Sequence, residues 1–306
     1  MREKAQVLDE FWIKIIAYVT MTLDHIGMYL RSYYISSDLG YQVGTVFRMF
    51  GRIAFPLFVL MLAEGLHYSK NRGKYISRIA IMWGIMLCAD IILFTANKID
   101  PSSVIGSMGS SIPGQAFTDL LCLGLIIYLF EHPKKWARPL CVIPLLYLVF
   151  SYIAGILKKN GVDVGSFFPA FLWADYSIFG LFILLGFYYS YKIVDTVVIK
   201  YLVPTGTQLE EYKKTKSYRG LVNVVGTSIF LAVSLIFWGI SYINDTQFDP
   251  FELASFRIQN YCLLACVPLL MYNGKRGYDS KAGRIIEYIY YPVHFAIIAL
   301  TFGLIF

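Results

Sequence analysis

Residues 12–33 read WIKIIAYVTMTLDHIGMYLRSY. As an α-helix this stretch rises about 33 Å, at about 1.5 Å per residue, which is enough to cross a hydrocarbon core about 30 Å thick. It has no small-residue cleavage site, so it is expected to stay in the chain as a first membrane helix rather than be removed as a leader. The rest of the sequence has the same character. Of 306 residues, 57% are hydrophobic, 17% aromatic and only 15% charged, with mean hydropathy +0.58. Soluble domains carry about a quarter charged residues, so the composition predicts a membrane protein and argues against a soluble one.

Apolar runs recur at 12–33, 45–67, 75–97, 115–131, 138–157, 171–191, 220–242, 256–272 and 285–305. They predict an all-α polytopic bundle of about nine transmembrane helices, with residues 1–306 as one domain. Lys and Arg divide sharply between alternate loops. One set holds Arg2 and Lys4, then Lys70, Arg72, Lys74 and Arg78, then Lys134, Lys135 and Arg138. It continues with Lys192, Lys200, Lys213, Lys214, Lys216 and Arg219, and ends with Lys275, Arg276, Lys281 and Arg284. The other set holds only Arg31, Lys98, Lys158, Lys159 and Arg257. Positive charge is retained in the cytoplasm, so the N-terminus is expected inside and the C-terminus outside. The net charge of +7 therefore has a topological meaning, with the lipid bilayer as partner and no nucleic acid implied. Cys88, Cys122, Cys141, Cys262 and Cys266 all fall in apolar runs. That pattern is neither a disulfide framework nor a metal site.

Charges left inside the spans are costly in lipid and mark candidate functional residues. In the first helix, Lys14 and His25 are eleven residues apart. At about 100° per residue they share one face, about 16 Å apart along the axis. Asp24 points about 100° away from His25. The second span runs the other way, VFRMFGRIAFPLFVLMLAEGLH at 46–67. Arg48 and Arg52 share a face at the depth of His25, and Glu64 lies at the depth of Lys14. The expected outer cluster is therefore Asp24, His25, Arg48, Arg52, Asp90 and Asp119, with a Lys14–Glu64 pair below it. Capping a helix start is a competing role for Asp119. His294 sits at mid-depth on the last helix, and a structural role is equally open for it.

Four segments in order and spacing carry a family resemblance: KIIAYVTMTLDHIG from Lys14, RMFGRIAFPLFVLMLAEGLHYSKNRGKY from Arg48, LLMYNGKRG ending at Gly277, and YIYYPVHFAIIAL ending at Leu300. Lys14, ten intervening residues and His25 match the pattern of transmembrane acyltransferases, and the four segments together resemble the TraX family. The likeness covers the first hundred residues and the last fifty, while residues 100–250 match only as apolar spans. TraX-type proteins are membrane acetyltransferases, and the founding activity acetylates the N-terminus of a conjugative pilin. The resemblance implies acetyl-CoA as co-substrate, no metal, a place in a bacterial cytoplasmic membrane and His25 as the catalytic residue. It implies support from Lys14, Asp24, Arg48, Arg52, Glu64, Asn273, Lys275, Arg276 and His294.

The physics permits that chemistry. Arg72, Lys74 and Arg78, with the NGKRG run at 273–277, offer cations to the donor's phosphates at the inner face. The donor's flexible arm matches the rise from Lys14 to His25. His25 then acts either as a general base or as a nucleophile that carries the acetyl group. Asp24 is a candidate for orienting it, and Arg48 or Arg52 for stabilising an oxyanion. The acceptor, a peptide N-terminus, a glycan or a small molecule, would come from outside. The Gly/Ser-rich loop 98–116 suits an entrance, and the acidic loop 243–255 an attraction for amines. A transporter using the same buried charges is the alternative, although no inverted repeat supports it.

Overall fold

The computed structural model describes residues 6–35, 38–100, 115–202, 206–243 and 259–305. The entrance loop expected at 98–116 and the acidic loop at 243–255 lie almost wholly outside them. Among the described residues the regular structure is helical, apart from one isolated bridge between Leu8 and Tyr272. The helices are α1 (Glu10–Tyr33), α2 (Leu39–Gly51), α3 (Ala54–Tyr68), α4 (Arg72–Ile99), α5 (Ala116–Phe130) and α6 (Val142–Lys159). They continue with α7 (Ser177–Tyr201), the short α8 (Gly206–Tyr212), α9 (Lys216–Ile243), α10 (Cys266–Met271) and α11 (Lys281–Ile305). Asp9 caps α1 by accepting from the Trp12 backbone, and Asn71 caps α4 by accepting from that of Lys74.

Five stretches are long and apolar enough to cross a membrane: Leu39–Tyr68, Arg72–Ile99, Lys135–Lys158, Ala170–Tyr201 and Lys216–Ile240. They fall on five of the nine expected spans. The other four are less regular than the sequence suggests. α1 has 24 residues but carries Lys14, Asp24 and His25. α5 has only 15 residues. From Asn260 on, the span expected at 256–272 is a 3-10 turn, Asn260–Ala265, followed by the six residues of α10, and 256–258 lie outside the described residues. The apolar part of α11 is Ile289–Ile305. Proline explains two of the interruptions, because it has no N–H to give the carbonyl four residues back. Pro56 leaves the Arg52 carbonyl without that bond where α2 breaks from α3, and Pro268 does the same to Leu264 inside the 3-10 turn.

α3 is apolar nearly all round, with Leu57, Val59, Leu62, Ala63 and Leu66 essentially inaccessible, and it is the centre of the bundle. It packs against α1, α4, α5 and α7. α4 and α6, by contrast, turn Ile81, Ile85, Ile92, Ile143, Leu146 and Phe150 outward. A continuous apolar exterior of this kind is a lipid-facing surface.

The tightest seam joins α1 to α2, which run antiparallel. A Cβ on Gly27 would lie 2.5 Å from the Gly44 carbonyl oxygen, and one on Gly44 would lie 2.9 Å from that of Gly27. A Cβ on Gly51 would strike Asp24. Three glycines thus let the two backbones close until Asp24 reaches the end of α2.

Contacts at the ends of the helices show how the remaining helices alternate. Glu131, just past α5, accepts from Arg72 at the start of α4 (3.0 Å) and from Tyr188 (2.5 Å) and Lys192 (2.7 Å) late in α7. Glu64 near the end of α3 meets Arg219 in the first turn of α9. The basic loops therefore collect at one end of the bundle. Exposed Tyr68, Trp136, Tyr201 and Tyr278 ring the same end, as aromatic residues do at a membrane surface.

Burial pushes the Glu131 carboxyl up, but hydrogen bonds from Lys192, Tyr188 and Arg72 outweigh it and hold the group below the usual glutamate range. A carboxylate whose folded value is depressed stabilises the fold above its unfolded value and loses that contribution as pH falls through the folded one. Glu131→Gln should therefore lower the thermal midpoint at pH 7. Its gap to the parent should shrink as pH drops below about 4.3, the ordinary glutamate value, and a gap constant with pH would contradict the assignment. Gly44→Val should cost about 1–3 kcal/mol by overpacking the α1–α2 seam, read as a drop in thermal midpoint in detergent. Stability equal to the parent's would show that the seam is looser than described.

Candidate functional site

The face of α1 that carries Lys14 and His25 lies along α11. Lys14 Nζ sits 2.8 Å from Glu10 and 3.0 Å from Glu287. About two turns above, the Thr22 hydroxyl is 2.6 Å from the Tyr290 hydroxyl. His25 Nδ1 is 2.9 Å from His294 Nε2, with the rings stacked, and Tyr29 stacks on Phe302. Residue numbers rise together on both helices, so the first and last helices are parallel. Lys14 therefore does not pair with Glu64, as the depth argument expected. Its face points to α11, and Glu64 belongs to a different cluster.

The histidine pair has an assigned proton order. His294 Nδ1 lies 2.8 Å from the Tyr290 carbonyl oxygen, which can only accept. His294 Nδ1 therefore carries the hydrogen, and its Nε2 offers a lone pair. His25 Nδ1 must then donate to that lone pair, which leaves the lone pair of His25 on Nε2. His25 is half-buried, and its Nε2 has no hydrogen-bond partner among the described residues. Tyr291 and Phe295 stand edge-on to the ring, with centroids at 6.0 and 5.3 Å.

Asp24 does not orient His25. Its carboxylate is hydrogen-bonded to Arg52 and lies 3.9 Å from Arg48 Nε. The reason is helical geometry: neighbours in sequence point about 100° apart, so His25 meets α11 while Asp24 meets α2. Arg52 also donates to the Tyr176 hydroxyl and to Gln259 Oε1, both at 3.3 Å. Arg48, Arg52 and Asp24 form one cluster beside His25, as the sequence suggests. Asp90 and Asp119 stay outside it. Asp90, 2% exposed, accepts from Gln115. Asp119 accepts the backbone N–H groups of Tyr176 (3.1 Å) and Ser177 (2.7 Å). It thereby pins the start of α7, where Ser177 sits in the left-handed region at φ 41°.

At the basic end, Glu64 receives Arg219 Nη1 at 2.8 Å, the Tyr191 hydroxyl, and the Tyr272 hydroxyl at 3.4 Å. Arg72 is tied to Glu131, and Arg276, largely exposed, reaches Asp279. Lys74 and Lys275 are exposed. Asn273 folds its own loop: its side chain accepts from the Lys275 backbone at 2.8 Å, and its N–H donates to Leu8. Of the residues expected to greet a donor, Lys74 and Lys275 present exposed charge, Arg276 is exposed but paired with Asp279, and Lys14, Glu64 and Arg72 are engaged in ion pairs. Among the described residues no group of three or more His, Cys, Asp or Glu side chains is placed to hold a metal ion.

Three members of the arrangement escape a reading by motif: Glu287, Gln259 and Arg219. Glu287 was legible in principle, since it lies two turns below His294 on one face of α11. Gln259 comes from another part of the chain and leaves no local signal. Arg219 reads as a loop cation because the apolar run starts at Gly220, yet α9 begins at Lys216 and buries it.

No curated protein matches the chain. No solved structure matches it either. The family model described as TraX protein matches residues 10–204, which take in α1 and the Asp24–Arg52 cluster but stop short of His294. That match spans well over half of the sequence, so the chain belongs to the TraX family.

Proposed function

We propose that this protein is a membrane acetyltransferase that passes an acetyl group from acetyl-CoA to an amine or hydroxyl on the far side of the bilayer. The observation that carries the proposal is the His25–His294 pair, which fixes one imidazole tautomer and leaves His25 Nε2 without a hydrogen-bond partner among the described residues, one residue along α1 from Asp24 and its two arginines. Nδ1 is held, and Nε2 has no partner among the described residues.

In this reaction His25 Nε2 takes the proton from the acceptor as its nitrogen or oxygen bonds to the thioester carbonyl carbon. The carbon–sulfur bond then breaks and the proton passes to the departing thiolate, so CoA leaves as the thiol. Arg48, whose Nε has no hydrogen-bond partner among the described residues, faces the charge that grows on the carbonyl oxygen. Arg52 has less to offer there, because Asp24, Tyr176 and Gln259 already occupy it. His294 is a positioning residue, acting through His25. At the basic end, Lys74, Lys275 and Arg276 supply cations for the donor's phosphates.

The proposal includes a topology of nine crossings in a bacterial cytoplasmic membrane. The parallel run of α1 and α11 supports an odd number, since the two chain ends then lie on opposite sides. The concentration of Lys and Arg at one end supports placing that end in the cytoplasm.

In reconstituted protein with acetyl-CoA and an amine acceptor, His25→Ala should lower turnover by about 10²–10⁴-fold, the usual range for a positioned base. His294→Ala should lower it less, and His294→Gln, whose amide oxygen can accept from His25 Nδ1, should recover part of the loss. Turnover that survives His25→Ala would refute its role as the base, and solute counterflow without any acetyl transfer would replace the transferase by a transporter. In a cysteine-free background, an impermeant thiol reagent applied outside should label Met108→Cys but not Lys74→Cys. The opposite pattern would invert the topology.

A further inference from the structure

Arg219 is used on one side only. Its Nη1 serves Glu64 at 2.8 Å and Tyr191 at 2.5 Å, and its flat face lies over the Tyr272 ring, 4.3 Å from the centroid. Its Nε and Nη2 are closed off from solvent and have no hydrogen-bond partner among the described residues. The side chain is 92% buried and lines a cavity with Glu64, Tyr191, Asn223, Thr227 and Leu269. Nε–H and Nη2–H leave the guanidinium along the same edge as two near-parallel donors. That edge matches two oxygens of one oxyanion. Buried donors of this kind are rarely left without an acceptor.

The surroundings name the sign and the side of approach. Gly274, with φ 73°, lays its backbone against the guanidinium stem. A Cβ there would come within 2.8 Å of Arg219 Cδ and 3.1 Å of Nε. Gly274 is followed by exposed Lys275 and Arg276. Arg219 is also in the first turn of the 28-residue α9, the positive end of its dipole. Glu64 already neutralises the other edge, so the remaining positive charge is that of the loop and the helix end. A tetrahedral phosphate oxyanion, which spreads charge over several oxygens, uses both the fork and the loop cations.

We infer that Arg219 and the Gly274–Arg276 loop form a phosphate-binding site at the basic end of the bundle, with the Nε–Nη2 edge of Arg219 as its bidentate donor. The site shares Lys275 and Arg276 with the donor-phosphate cations proposed above and to that extent rests on that reading, whereas the Arg219 edge stands on this geometry and is tested without acetyl transfer at His25. Its occupant is either a soluble phosphorylated molecule or the headgroup of an anionic lipid.

The test is calorimetric titration of inorganic pyrophosphate into the full chain in phosphatidylcholine nanodiscs, repeated in nanodiscs that contain phosphatidylglycerol. The parent should bind, and Arg219→Lys, which keeps a charge for Glu64 but has no fork, should bind at least tenfold more weakly. Gly274→Ala, which crowds the guanidinium without removing a charge, should weaken binding as well, and thermal midpoints near the parent's would show that both variants are folded. Affinity that is equal in the two lipids assigns the site to a soluble ligand, and affinity reduced by phosphatidylglycerol assigns it to a headgroup. Equal binding by the parent and Arg219→Lys, or no binding by the parent, would overturn the site and leave water as the partner of that edge. His25→Ala should bind pyrophosphate like the parent, so failure of the phosphate site and failure of the transferase proposal are separate results.

Discussion

A carboxylate held against a guanidinium inside an apolar bundle organises this protein. Asp24 and Arg52 are both largely withdrawn from solvent, and neither charge is tolerable there without the other. Their pairing fixes α1 against the junction of α2 and α3. Through Tyr176 and Gln259 it reaches the start of α7 and the 3-10 turn before α10. Four separate parts of the chain thus meet at one charge pair. The glycines of the α1–α2 seam exist to let that meeting happen, and the break at Pro56 places Arg52 where the helix no longer needs its carbonyl.

With Asp24 committed to the arginines, His25 is free to be governed by a different helix. The division of labour follows from one feature of an α-helix, the 100° turn between neighbours. Asp24 binds the bundle together, and His25 faces α11. The same parallel contact along α11 pairs Lys14 with Glu287, so Lys14 and His25 are matched by residues 273 and 269 positions later in the chain.

Much of this was legible in the sequence because helical periodicity is arithmetic. The shared face of Lys14 and His25, the i, i+4 pair of Arg48 and Arg52, and the clustering of Asp24 with them all follow from spacing and depth. Depth alone, however, does not say which helices are adjacent. For that reason Lys14 seemed matched to Glu64, and Asp90 seemed part of the outer cluster, when Gln115 is its partner. The broken helices were hidden for another reason. An apolar run reads the same whether proline divides it or not, and the 3-10 turn at Asn260–Ala265 is as hydrophobic as a helix would be. Arg219 shows the opposite error, a cation that composition assigns to a loop and that folding draws inside.

The parallel alignment of α1 with α11 has a consequence for biogenesis. His25 and His294 are 269 residues apart in synthesis, and His294 lies beyond the part matched by the family model. Until α11 docks, His25 lacks His294 and Lys14 has only Glu10 of its two carboxylate partners. The nascent protein therefore carries an unfinished polar seam while the intervening helices are made. Docking of α11 closes it and in the same event assembles the histidine pair.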